Sequence, residues 1–134
     1  MCMEYDRELT VDSVFRNEQE KVFYKLTTPS RESPFGDYIH HSVTYNKGET
    51  VVSNRVSTSL SYWEELYGTI HAGLHLFCDM EEARVTAEYI KNKYELDCIV
   101  VPVLVKREHF VAAGWWSERF YTSCIVATQC TVLE

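Results

Sequence analysis

Positive charge is scarce in this chain. Lys and Arg number 13 against 20 Asp and Glu, a formal net charge of −7. A phosphate backbone is gripped by clustered cations, so the expectation is no non-specific nucleic-acid binding. Glycine and proline are few, five and three, and no glycine-rich phosphate loop, G-x-S-x-G or paired-carboxylate signature occurs. No apolar run approaches the roughly 20 residues that cross a bilayer as a helix. The opening residues do not combine a basic segment with an apolar one, as a secretory leader would. Cys2, Cys78, Cys98, Cys124 and Cys130 are an odd set with no C-x-x-C. A disulfide framework is therefore not expected, and a reducing, cytoplasmic setting is. No cofactor, metal or membrane partner is expected.

What is present is a core. The 134 residues are 46% hydrophobic, enough for one self-sufficient domain. Nine tyrosines and three tryptophans are many for this size, and most of them suit the core and its edges. Such side chains combine large contact area with a polar handle, so some suit an interface, including one between like copies.

Residues 1–20 are polar, with Leu9, Val11, Val14 and Phe15 spaced for a short helix or an arm. From Lys21 the period changes to two, and Val22, Tyr24 and Leu26 mark a strand. Pro29 to Asp37 reads as a loop carrying Arg31. Tyr38–Tyr45 and Thr50–Val56 alternate around Asn46-Lys47-Gly48, a hairpin signal. Ser57–Ser61 is loop-like, and Leu60, Trp63, Leu66 and Tyr67 have helical spacing up to Gly68.

Thr69–Phe77 alternates as one strand, with His71, Gly73, His75 and Phe77 on one side. Asp79 then opens a capping box with Glu82. Met80, Ala83, Ala87, Ile90 and Tyr94 form one apolar stripe of a helix over about 80–94. Cys98–Val105 reads as a buried strand with Pro102 at an edge or bulge. Phe110–Trp116 is another strand, and Tyr121–Leu133 a single long one, apolar on both faces and so central.

The candidate chemistry is incomplete. His71 and His75 have the i, i+4 spacing of a helical zinc pair. On a strand they stand roughly 13 Å apart, and the glutamate of H-E-x-x-H is missing. They fit the wall of a cleft, donating to a phosphate, or a structural role on a half-exposed face. His40 and His41 are adjacent on a strand, so only one can join them. Cys78 precedes Asp79, Glu81 and Glu82, carboxylates that oppose a thiolate. Trp115 and Trp116 point to opposite faces of their strand. Trp116 is placed outside, beside Arg119 and Tyr121, or else over the rim of the core.

Two resemblances follow from these residues. Val56-Ser57-Thr58-Ser59 resembles the serine-threonine-serine strand of arginine-type ADP-ribosyltransferases, although no later Glu-x-Glu or Gln-x-Glu accompanies it. Gly73-Leu74-His75-Leu76-Phe77, Glu82-Ala83, Ile99–Val105 and Val111-Ala112-Ala113-Gly114 resemble a pattern of small bacteriophage accessory proteins. That resemblance covers the C-terminal half and implies a phage or mobile-element accessory protein, many of which counter host defence by stoichiometric binding.

The expected architecture is α+β. It has a polar arm or short helix over 1–20, and a single domain over 21–134. That domain is a mostly antiparallel curved sheet or open barrel under the 80–94 helix. The expected function is a non-enzymatic phage-type inhibitor of a host defence component. It would bind a host protein or sequester a nucleotide second messenger. Arg31, Arg55 and Arg119 would meet phosphates, His71 and His75 would line the site, and Trp116 would stack. The alternative is an ADP-ribosyltransferase-like enzyme with a cleft around Ser57–Ser59 and His75.

Overall fold

The computed structural model describes residues 3–33, 44–116 and 122–134. The expected strand over 38–45, His40, His41 and Arg119 lie largely or wholly outside them. The fold is α+β: one antiparallel sheet of nine strands with helices on both faces. In chain order these are β1 Met3–Tyr5, α1 Val11–Phe15, β2 Glu20–Thr27, β3 Thr50–Val52 and α2 Tyr62–Tyr67. Then come β4 Thr69–Ile70, β5 Leu74–Phe77, α3 Met80–Tyr94, β6 Ile99–Lys106, β7 Phe110–Trp116, β8 Ser123–Ala127 and β9 Gln129–Val132. Among the described residues the strands run in the order β3-β9-β6-β2-β5-β8-β7-β1-β4, with β3 and β4 at the two ends.

Both faces of the sheet are buried. Phe23, Leu74, Leu76, Val103, Val105 and Ile125 pack on one side, where Phe15 of α1 seals them. The Phe15 ring lies 5.7 Å from Phe23 and 5.9 Å from Phe110. Leu26, Phe77, Trp116, Cys124 and Val126 pack on the other side under Ala83 and Ile90 of α3. Period-two alternation along β2, β5, β6 and β8 feeds both cores. Residues 3–20 are part of this body: β1 pairs with β7 and β4, and Met3 is fully buried.

α3 begins at the expected cap, where the Asp79 carboxylate accepts from the Glu82 N–H at 3.0 Å. Glu82 does not complete the box. Its side chain reaches β8 instead and accepts from the Ser123 N–H at 3.1 Å. The buried stripe is Ala83, Thr86 and Ile90, while Met80 and Tyr94 at the helix ends are exposed.

Three other expectations change. The strand expected over 69–77 is broken at 71–73, where Gly73 takes φ +119. A Cβ there would lie 2.4 Å from Val126 Cγ1, so the bend requires glycine. The long terminal strand is two, β8 and β9, parted at Thr128 and paired with different neighbours. β3 pairs with β9 and Gly48 takes the expected positive φ, while the other arm of the expected hairpin lies largely outside the described residues. Pro102 sits inside the sheet rather than at an edge or bulge, because β6 lies between β2 and β9. Its carbonyl accepts from the Leu133 N–H at 3.0 Å. The missing Pro102 N–H therefore faces the same side, just where β9 ends.

Among the described residues, no helix is long and apolar enough to cross a membrane.

Candidate functional site

Ser61 and Glu64 start α2 with a full capping box. The Ser61 hydroxyl accepts from the Glu64 N–H at 3.2 Å, and the Glu64 carboxylate accepts from the Ser61 N–H at 2.9 Å. Gly68 ends it in the left-handed region, φ +73, with its N–H on the Glu64 carbonyl. The Gly68 carbonyl accepts from Tyr5 of β1 at 2.6 Å, and Arg7 donates to the Glu65 carbonyl. A six-residue helix is too short to persist alone in water. These polar ties hold it in place.

The strongest tie is Arg55. It meets both oxygens of Glu64, at 2.6 and 2.8 Å. It also donates to the carbonyls of Ser57 at 3.0 Å, Ser59 at 2.9 Å and Ala72 at 3.2 Å. A guanidinium has five N–H donors, and all five are used. The pair is nearly enclosed, with side chains 9% and 15% exposed. The Arg55 guanidinium holds the Glu64 carboxyl below its usual range, against the opposing effect of burial. Arg55 thus fastens α2 to the bend at 71–73 and to the 57–59 segment.

The outer side of α2 is apolar and bare. Tyr62, Trp63, Leu66 and Tyr67 are 69%, 62%, 54% and 70% exposed, and the helix buries none of its residues. Tyr62 meets Trp63 edge to face at 5.3 Å. Trp63 stacks on Tyr67 one turn on, with centroids 5.8 Å apart and planes within 9°. The rings brace one another into a shelf. Beside it lies a cleft of about 580 Å³ lined by Val56, Ser57, Ser59, Leu60, His71 and the Arg55–Glu64 pair.

Of the residues singled out in the sequence, Arg55 and His71 line this one cleft, and Arg119 lies outside the described residues. His71 is exposed at its rim. His75 is buried on β5, facing away from Leu74 and Leu76. Its Nε2–H donates to the His71 carbonyl at 2.7 Å, which fixes the tautomer. Nδ1 is then a bare lone pair with no partner among the described residues. Burial, acting first, pushes its pKa down to about 3. It is a neutral core residue, not a cleft wall.

Trp116 is also internal, 2% exposed, with edge-to-face contacts to Phe77 and to Tyr89 of α3. The expected stacking surface is absent there because α3 covers that face. Arg31 takes φ +67 and donates to the carbonyls of Tyr45 and Glu134, so it ties a loop to the C-terminal residue. Arg31 and Arg55 share no partner among the described residues.

The enzymatic alternative keeps one feature: Ser57, Ser59 and a glutamate line one cleft. Its His75 lies elsewhere, and both Glu64 oxygens are held by Arg55. Cys78 lies in surroundings that oppose a thiolate. Burial raises its thiol to about 12, and Glu82 and Asp79 add to the shift.

The aromatic shelf escaped the sequence reading. Helical spacing at Leu60, Trp63, Leu66 and Tyr67 points to packing inward. The signal that was available is Ser61-Tyr-Trp-Glu64, a capping box. Compared with protein-family models, with curated proteins and with solved structures, the chain matches none.

Proposed function

We propose that this protein is a non-enzymatic binding protein that docks another protein through the α2 shelf. The observation that carries this is the exposure of four large apolar side chains on a helix fixed from its polar side. With about 150–250 Å² per aromatic side chain, the shelf presents on the order of 400–500 Å². The largest apolar patch on a monomer covers about 300–600 Å² and is often functional. Tyr and Trp at such a site are the composition of interface hot spots, and bracing lowers the entropy lost on docking.

The occupant we propose is an apolar groove with a basic rim. The chain carries −7, and Glu65 is exposed on the shelf helix. A second copy would bring like charge to the same place. Sequestration of a nucleotide is less supported, since Arg31 and Arg55 are engaged internally and Trp116 is buried. The setting we propose is a phage-type inhibitor that blocks a host defence component. That part rests on the resemblance over residues 73–114 alone.

The test begins with a partner identified by mass spectrometry after co-purification, then prepared pure. Trp63→Ala and Tyr67→Ala are each expected to weaken its Kd by about 30-fold or more, the scale of a hot spot. Unchanged affinity in both variants sinks the proposal. So does a dimer of the protein that Trp63→Ala dissociates. Turnover of nicotinamide dinucleotide that is lost in Ser57→Ala would favour the transferase.

A further inference from the structure

A second cavity, of about 600 Å³, opens where β1 leaves the sheet. β1 follows β7 from Trp116 to Gly114, and the Asp6 N–H to the Ala113 carbonyl is the last rung. The chain then turns away. The Glu8 N–H bonds the Asp6 carboxylate and the Leu9 N–H bonds the Asp6 carbonyl. On its other side β7 carries a bulge between Phe110 and Ala112, where pairing with β8 skips Val111. Bulges re-aim side chains and are common beside functional sites.

The two departures leave the start of β7 as the floor of a cavity. Phe110, Val111 and Ala112 are buried residues that line it, with Val11 and Leu9 as walls. Its polar lining includes Arg7 and Arg107. Arg7 makes one hydrogen bond among the described residues, to the Glu65 carbonyl, of the five its side chain can donate. Arg107 is anchored by the Arg16 carbonyl at 2.8 Å and by the Asp12 carboxylate. Glu108 also lines the cavity, but its side chain is 71% exposed. The volume matches small-molecule sites, about 300–1,000 Å³, which pair an apolar lining with a few placed polar groups.

We infer that this cavity binds a small organic anion: an apolar body on Phe110–Ala112, and one carboxylate, sulfonate or phosphate on Arg7. Arg107, already partly neutralised by Asp12, closes the rim and orients the ligand. This site is separate from the α2 shelf and does not depend on the docking proposal.

The probe that tests it is 1-anilinonaphthalene-8-sulfonate, a fused aromatic body with one anionic group, followed by fluorescence. One saturable site is expected, weakened about tenfold or more by Arg7→Gln through loss of a charge-assisted bond. Arg7 also touches α2, so Thr58→Trp is the second variant. Thr58 is an exposed residue of the cavity wall, and the larger ring occludes the cavity with the same loss expected. Trp63→Ala is expected to leave the titration unchanged. The inference is overturned by the absence of saturable binding, by binding that survives both Arg7→Gln and Thr58→Trp, or by binding that only Trp63→Ala removes. None of these outcomes bears on partner affinity at the shelf, which is read separately.

Discussion

Helices α2 and α3 are attached to the same sheet by opposite kinds of contact. α3 spans fifteen residues and holds by Ala83, Thr86 and Ile90 pressed into the core, with charged residues outward. α2 spans six and buries none of its residues. It is held by Arg55, by a capping box and by carbonyls that accept from the Tyr5 N–H and the Arg7 guanidinium. A helix anchored through its apolar side has only a polar side to show. One anchored through carboxylates and carbonyls leaves its aromatic side for something else.

Four measurements break or sharpen that contrast. The largest effect is expected for Ile90→Ala, which empties a fully buried site under α3. Chemical denaturation is expected to show a loss of about 2–5 kcal/mol.

Acid acts next, through His75. Above pH 6.5 the ring is neutral in both folded and unfolded chains, so its contribution is complete. As pH falls from 6.5 toward about 3 the unfolded ring takes a proton that the buried one refuses. Stability is expected to drop through that window by up to about 1.4 kcal/mol per pH unit. The same titration of His75→Gln gives a flatter slope if His75 is the cause.

Arg55→Ala leaves the nearly enclosed Glu64 carboxylate without its partner. We expect a cost of about 1–3 kcal/mol. Amide hydrogen exchange then speeds up over 62–68 while α3 is unchanged. Uniform acceleration across both helices would mean that α2 is not separately fastened.

Trp63→Ala is the smallest in stability, within about 0.5 kcal/mol of wild type as for an ordinary surface site. A thermal unfolding midpoint that falls by more than a few degrees would show that the shelf supports the fold.

The contrast also explains what could be read from the sequence. α3 was legible because its cap, Asp79, and its stripe lie within one continuous stretch. β2 was legible for the same reason, as local alternation, and β7 as one continuous apolar run. The break at 71–73 was hidden because alternation continues through it, and only the φ of Gly73 and its closeness to Val126 reveal the bend. Helical spacing around Trp63 was visible, but spacing does not say which way a face points. That depends on Arg55 meeting Glu64 and the Ala72 carbonyl, contacts made only in the folded chain. The same contacts removed Arg55 from the set of phosphate-binding candidates. Trp116 was misplaced because β7 has cover on both faces, so neither side of that strand leaves a ring to solvent.

The position of β1 bears on how the chain reaches this state. Met3 lies opposite Trp116 on one side and Ile70 on the other. The earliest strand in the sequence therefore has no neighbours until β4 and β7 exist. Contacts of such long sequence separation close late and slow the folding of β-rich chains. Until then the edge of β7 is unprotected, a template for pairing with another molecule. The earliest strand thus completes the sheet late, and crowding during refolding should matter more for this protein than its size suggests.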